Sequence, residues 1–243
     1  MYFLLPVYNE ENNLEGVFKT ISAKMKKISK DYKLVAVDDC SSDSSLEVLE
    51  KLRKRFPLTV LKHNVNKGPS EVFKTGFLHI LEFAKDADLI ITMEADATSD
   101  LEIFPDMLSQ IVNGNDLVLA SCYAKQGSVI QISFFRKFLS AMANSLLVFF
   151  FPVQGVHTYS SFYRIYRVDL LKKAFAKYGS RFIESDGFVC VVDILIKLNK
   201  LGCRIAEVPM TLDPSLNKGQ SSMKILKTIK GYLILIFRNV FNG

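Results

Sequence analysis

The stretch Leu89-Ile90-Ile91-Thr92-Met93-Glu94-Ala95-Asp96 sets a run of apolar and β-branched residues directly before two carboxylates. A short apolar run of this kind reads as a buried strand. Acids at its exit are satisfied only if they face a cleft or solvent. Two carboxylates spaced i, i+2 at a strand end can bind one hard divalent cation, which in turn neutralises a diphosphate. The alternative is a solvated acidic loop, because Asp100, Glu102 and Asp106 follow.

Working outward, Tyr2–Val7 reads as a buried strand, and Asn9 with the acids after it opens a helix over residues 9–29. A second strand at 33–37 ends in Asp38-Asp39-Cys40-Ser41-Ser42-Asp43, before a helix at 44–55. Leu58–Lys62 is a third strand, and Asn66-Lys67-Gly68-Pro69 feeds a helix at 70–84. Beyond the quoted stretch come a strand at Leu117–Ser121, a very apolar helix at 134–151 and strand-like alternation at 157–167. A helix at 188–201, a strand at 204–212 and an apolar, basic-punctuated tail at 223–241 complete the chain. Strands alternating with helices imply an α/β fold with a mostly parallel sheet covered on both faces. Ligands of such sheets sit beyond the carboxyl ends of the strands. The polar clusters after the first, second and fourth strands therefore converge on one edge.

Asp38 and Asp39 stand where nucleotide-binding sheets place an acid against a ribose or a base edge, unless they only cap the next helix. The first turn, Pro6-Val7-Tyr8-Asn9-Glu10-Glu11, has no glycine fingerprint, and there is no P-loop, which excludes dinucleotide oxidoreductases and P-loop enzymes. His63, His79 and His157 are too scattered for a zinc site. No Ser-His-Asp arrangement stands out.

With 243 residues, 49% of them hydrophobic, the chain can build one substantial core. Its mean hydropathy is positive, yet no apolar run reaches the ~18–20 residues of a spanning helix. A protein lying on a membrane surface is expected. The net charge of +6 suits an anionic partner. Nucleic acid is not expected, because no long basic run or recognition motif is present and Lys24, Lys26, Lys27 and Lys30 read as a solvated helix face. Four widely spaced cysteines without a CxxC pair predict reduced thiols in a cytosolic compartment. No signal peptide is expected, the first strand beginning almost at Met1.

Taken in order, Pro6-Val7-Tyr8-Asn9-Glu10-Glu11, Val37-Asp38-Asp39-Cys40-Ser41-Ser42-Asp43, Asn66-Lys67-Gly68 and Glu94-Ala95-Asp96 resemble the family-two inverting glycosyltransferases. Arg136 with Ser140, Gly187-Phe188, Ile205-Ala206-Glu207-Val208-Pro209-Met210 and Gly219-Gln220-Ser221-Ser222-Met223-Lys224 bring the chain nearest to the dolichol- and polyprenol-phosphate sugar synthases. The resemblance implies a Rossmann-like nucleotide-diphospho-sugar transferase domain of the GT-A type. It implies metal-dependent, inverting transfer of a hexose from a GDP-mannose- or UDP-glucose-type donor to a polyprenyl or dolichyl phosphate, at the cytoplasmic face of a membrane. Pro6, Tyr8, Glu10, Asp38, Asp39, Lys67, Gly68 and Ala95 would bind the donor, while Glu94 and Asp96 would hold Mg²⁺ or Mn²⁺. Arg136 and Ser140 would bind the acceptor, with Arg164 and Lys224 as candidate substitutes for cationic side chains that the chain lacks there. Asp96, Arg136 and Asp186 would carry catalysis, and hydroxyl-acceptor relatives carry their catalytic acid near Glu184 and Asp186. The chain departs from the pattern in Glu94 for Asp, Thr98 for Gln, Cys122 for a phosphate-binding Arg and His157 for Asp. The tail departs too, with Asn217-Lys218-Gly219-Gln220-Ser221-Ser222 for Arg-x-Gly-x-Ser-Lys. Transfer to a saccharide hydroxyl of a lipid-linked glycan, or a catalytically inactive membrane-docked subunit, remain as rivals.

Within residues 134–151 the polar Arg136, Ser140 and Asn144 form one narrow stripe on an otherwise apolar helix. In the tail, Ile225, Ile229, Leu233, Ile236 and Val240 share a face. Such helices are core or lie in a lipid interface. The expected division is a transferase domain at 1–222, with a nucleotide-sugar half at 1–119 and an acceptor half at 120–222, then an amphipathic membrane-surface helix at 223–243.

Overall fold

The computed structural model describes residues 1–131, 134–219 and 225–241, the side chains at 134–137, 225–227 and 240–241 lying outside the description. The first strand, β1 (Tyr2–Val7), is buried on both sides: Phe3, Leu5 and Val7 join one apolar cluster, Tyr2 and Leu4 the other. This follows from the period-2 alternation of a strand covered on both faces. β1 lies between β2 (Lys33–Asp38) and β4 (Leu89–Thr92), parallel to both, and β3 (Leu58–Lys62) extends the row beside β2.

The sheet has seven strands in the order β3-β2-β1-β4-β7-β5-β8, with β5 (Leu117–Ser121), β7 (Arg164–Arg167) and β8 (Ile205–Pro209). β7 runs antiparallel to both β4 and β5, so the sheet is mixed rather than all parallel. The strand-like stretch 157–167 yields only this short strand, because Thr158 and Tyr159 give their backbone N–H groups to the side chains of Glu207 and Asn144. A two-stranded parallel ribbon pairs β6 (Ser128–Val129) with β9 (Thr211–Leu212).

One face is covered by α1 (Leu14–Lys27), α2 (Ser45–Leu52) and α4 (Phe104–Val112). On the other lie α3 (Pro69–Phe83), α6 (Val168–Tyr178) and α7 (Cys190–Asn199), joined by Leu147 of α5 (Phe134–Phe150) and Leu235 of α8 (Ile225–Phe241). Helix α3 sits close on β1 at Gly76, where a Cβ would fall 2.2 Å from Leu4 Cδ1. Helix α1 starts at Leu14, later than expected, because Asn9 takes a left-handed φ of 58° and Asn13 and Leu14 both donate to the Glu10 carbonyl. Lys24 departs from the expected solvated face: it is 7% exposed and pairs with Glu102 at 2.7 Å. All four cysteines are unpaired.

Candidate active site

The loops leaving β1 and β2 are laced together at the carboxyl edge. Asn9 accepts the Ser42 backbone N–H, and the backbone N–H groups of Asn9, Glu10 and Glu11 donate to Ser41, Ser45 and Asp43 side chains. Each bond satisfies a backbone group that the departing strand leaves unpaired. Their effect is to hold Pro6, Tyr8 and Glu10 beside Asp38, with the Tyr8 ring partly in solvent.

The two aspartates have different environments. Asp39 is saturated: its carboxylate accepts the Lys67 and Gly68 N–H groups at 2.9 and 2.7 Å and meets His63 Nδ1 at 2.7 Å. His63 is fixed in turn by Thr75 on α3 at 3.0 Å. Asp39 thereby clamps the Lys67-Gly68 turn, where Gly68 adopts a φ of 81° that a side chain would resist. Asp38, 1% exposed, keeps Oδ1 without a partner among the described residues. An unpaired buried carboxylate oxygen is costly, and a donor group of a ligand would relieve it.

Past β4, Glu94 Oε2 accepts the Ser99 hydroxyl at 2.5 Å, and Asp96 Oδ1 accepts the Thr98 N–H and hydroxyl. Burial, with the Asp96 charge beside it, pushes the Glu94 carboxyl up to about 7. Glu10 is likewise pushed up to about 7, by burial first and then by Asp96 and Asp43 against the lowering Asn13 hydrogen bond. Glu10, Glu94 and Asp96 take part in none of the ion pairs among the described residues. Crowded carboxylate oxygens without a basic partner fit a hard divalent cation. No described cluster of three His, Cys, Asp or Glu side chains forms a complete cage, so ligand oxygens would have to finish the coordination.

A segment far away in sequence closes over this motif. Asn217 donates from Nδ2 to Asp96 Oδ2 at 3.2 Å and accepts from Asn13, which also donates to Glu10 at 2.7 Å. Sequence reasoning missed His63, Asn13 and Ser99, and gave Asn217 only as a departure in the tail pattern, without its contacts. For Asn217 no local signal exists, since its partners lie 121 and 204 residues away.

On the acceptor side, α5 enters the core by Leu147, and its polar residues bond neighbouring segments. Ser140 accepts the Tyr123 hydroxyl at 2.8 Å, and Asn144 bonds the His157 carbonyl and the Tyr159 N–H. Phe138, Met142, Phe149 and Phe150 are left exposed. Of the expected acceptor residues, Lys224 and the Arg136 side chain lie outside the described residues.

Arg164 corrects the expectation. It is fully buried, and its guanidinium donates to the carbonyls of Ser161, Val191 and Tyr159, so it has no face for an acceptor. Glu184 pairs with Lys197 at 3.2 Å and Arg238 at 3.5 Å, whereas Asp186 is exposed. The ring of Phe188, two residues on, stacks on Phe162, whose carbonyl accepts the Thr92 hydroxyl at the end of β4. This brings the 184–188 loop to the edge that carries Glu94.

The tail face splits. Leu235 and Ile236 are buried while Leu233, Ile234 and Phe237 are more than half exposed. Gly231 lies against Val189, where a Cβ would meet Cγ2 at 2.5 Å. Arg238 reaches buried Asp193 at 3.1 Å. Among the described residues no helix is long and apolar enough to cross a membrane.

Residues 2–175 match the profile of glycosyl transferase family 2. The chain is 30% identical over 236 residues to dolichol-phosphate mannosyltransferase of Pyrococcus furiosus, covering 97% of this chain and 62% of that protein. It is 32% identical over 146 residues to undecaprenyl-phosphate 4-deoxy-4-formamido-L-arabinose transferase of Edwardsiella ictaluri, covering 59% of this chain and 42% of that one. It thus spans less than two thirds of both relatives. Its fold is shared with glucosyl-3-phosphoglycerate synthase of Mycobacterium tuberculosis, solved with Mn²⁺, UDP and phosphoglyceric acid, at a TM-score of 0.66 and 16% identity over 98% of this chain and 77% of that one. Residues 1–349 of S. aureus TarS, solved with UDP-GlcNAc, superpose at a TM-score of 0.60 with 17% identity, over 100% of this chain and 66% of that one. The α/β architecture is therefore the GT-A fold.

Proposed function

The chain belongs to glycosyl transferase family 2, and on that footing we propose that it transfers a hexose from a nucleotide-diphosphate sugar to a polyprenyl phosphate at a membrane surface. The observation that carries the acceptor class is α5, which anchors in the core by Leu147 and leaves Phe138, Met142, Phe149 and Phe150 exposed. An apolar helix face turned outward suits a lipid interface. The two relatives named for lipid-phosphate transfer support the same acceptor.

In this reading Glu94 and Asp96 hold Mg²⁺ or Mn²⁺, whose charge stabilises the departing nucleoside diphosphate. Tyr8, Pro6, Glu10, Lys67 and Asp38 surround the nucleoside, Asp38 through its unpartnered oxygen. Asp39 and His63 act through the Lys67-Gly68 turn, keeping its backbone where the donor needs it. Attack from the face opposite the leaving group gives inversion. A phosphate monoester, with a second pKa of about 6, is already an anionic nucleophile at neutral pH. It requires cations to hold it rather than a base to deprotonate it.

The second reading, transfer to a sugar hydroxyl, is favoured by one observation: Asp186 is an exposed carboxylate at the acceptor edge, available as a base. Initial rates of three variants separate the readings. With a phosphate acceptor, Glu184→Gln and Asp186→Asn each keep turnover within about tenfold, and Arg136→Ala raises the acceptor KM by about tenfold or more. With a hydroxyl acceptor, Asp186→Asn removes on the order of 10²–10⁴ of the rate while Arg136→Ala is tolerated. The second pattern would overturn the phosphate acceptor.

A further inference from the structure

Residues 183–186 belong to no helix or strand; they join two short 3₁₀ turns, Gly179–Phe182 and Gly187–Val189. Side chains of α7 hold this segment. The Glu184 and Ser185 N–H groups donate to Asp193 Oδ2 at 3.3 and 3.0 Å. One turn further along α7, the Lys197 ammonium donates to the carbonyls of Arg181 and Phe182 and pairs with Glu184 at 3.2 Å. Two charged side chains of one helix thus satisfy four backbone groups that would otherwise need partners.

Asp193 is fully buried and forms an i, i+4 pair with Lys197 at 3.2 Å. Lys197 therefore serves two carboxylates, and one ammonium cannot balance both. The second cation comes from α8. Arg238 places Nη2 3.1 Å from Asp193 Oδ1 and 3.0 Å from the Ser185 hydroxyl, and Nη1 3.5 Å from Glu184. Asp193 Oδ1 makes no aligned hydrogen bond and is held by the two cations alone. The cluster is balanced only with Arg238 in place, and a buried charge that loses a partner is strongly unfavourable. Helix α8 touches the same region twice more, Gly231 abutting Val189 and Tyr232 hydrogen-bonding the Ser160 side chain. The loop so held carries Asp186 and Phe188. Phe188 stacks on Phe162 with ring centres 5.5 Å apart, and the Phe162 carbonyl accepts the Thr92 hydroxyl two residues before Glu94.

We propose that Arg238 is a positioning residue for the transfer: it locks the 184–188 loop against α7 beside the donor edge, so α8 shapes the reaction site as well as facing outward. This rests on the transferase reading above. An anchoring helix matters only where a membrane is present, whereas a positioning residue matters in solution too. Arg238 bonds Asp193, Glu184 and Ser185, none of them a donor residue, so its loss falls on the rate and spares donor affinity.

Hydrogen exchange of the free protein, without vesicles or sugar donor, reads the clamp directly. Arg238→Ala is expected to speed exchange at the Glu184 and Ser185 amides about tenfold or more and to leave the β1, β2 and β4 amides unchanged. Arg238→Lys, which keeps the charge, restores most of the protection. Rates are then measured without vesicles, using geranyl phosphate as a soluble acceptor with GDP- and UDP-hexoses and Mn²⁺. Arg238→Ala is expected to lower kcat about tenfold or more with donor KM within about twofold of wild type, and Arg238→Lys to recover most of the rate. Unaltered loop exchange in Arg238→Ala, or faster loop exchange with unchanged kcat, would overturn the assignment. Faster exchange spread over the whole sheet, or a loss that lysine does not recover, would do the same. Wild-type protein that moves no hexose to geranyl phosphate would instead contradict the proposed reaction, and local, lysine-rescued exchange would still uphold the clamp.

Discussion

Asp96→Ala is expected to reduce hexose transfer on the order of 10³-fold and to abolish the metal-dependent part of nucleotide binding. A cation at a developing diphosphate supplies several kcal/mol, and about 1.4 kcal/mol is a decade in rate. Asp96 also accepts from Thr98 and Asn217, so alanine releases the 217–219 segment as well as the cation. Asp96→Asn separates the two effects: it retains an oxygen for Thr98 but lacks the charge. In thermal unfolding, wild-type protein should gain stability from UDP or GDP only when Mn²⁺ or Mg²⁺ is present, as binding to the native state alone requires. Both Asp96 variants should lose that increment. Glu94→Asp, which shortens the acid by a methylene, should retain turnover within about tenfold, a shift of about 1.4 kcal/mol. Wild-type rates in Asp96→Asn would remove the donor site from its proposed place.

The second large effect concerns the membrane. Leu233, Ile234 and Phe237 are 57%, 57% and 60% exposed on the outer side of α8, and Leu235 and Ile236 hold the inner side. Changing the three outer residues to serine should lower partition onto anionic vesicles by on the order of 10²-fold or more, since each buried large side chain contributes about 1.5–3 kcal/mol. With Leu233→Ser and Ile234→Ser alone, unfolding temperature should stay near wild type, because the core-facing residues and the Arg238–Asp193 pair are untouched. Salt should weaken wild-type binding only in part, as apolar burial is not screened. Undiminished vesicle binding by the triple variant, measured by sedimentation, would assign that face to another partner.

Much of this architecture is legible in the chain itself. The apolar runs at β1, β2, β3, β4 and β5 each end in polar residues, and the alternation with helices leaves few ways to arrange them. The edge where Glu10, Asp38 and Glu94 meet follows from that topology alone. The antiparallel insertion of β7 does not, because four residues with no turn signal fix neither direction nor neighbours. Helices α4 and α6 had no counterpart in the sequence reading. Arg164 shows the limit for charged side chains. An arginine in a strand reads as a ligand contact, and only the folded backbone reveals that three carbonyls already surround it. Asn217 is opaque for a different reason: its role depends on a return of the chain that no local pattern encodes. The tail's apolar face misled because both sides of α8 are apolar, so periodicity could not say which side meets the core.

The most direct test is mass spectrometry of a polyprenyl phosphate incubated with the protein, Mn²⁺ and, in turn, each of a panel of GDP- and UDP-hexoses. The account predicts that one donor adds a single hexose to the lipid phosphate, and that the product disappears with EDTA or with Asp96→Asn. A lipid phosphate left unmodified by every donor, while hexose reaches a glycan hydroxyl or no acceptor at all, would contradict it.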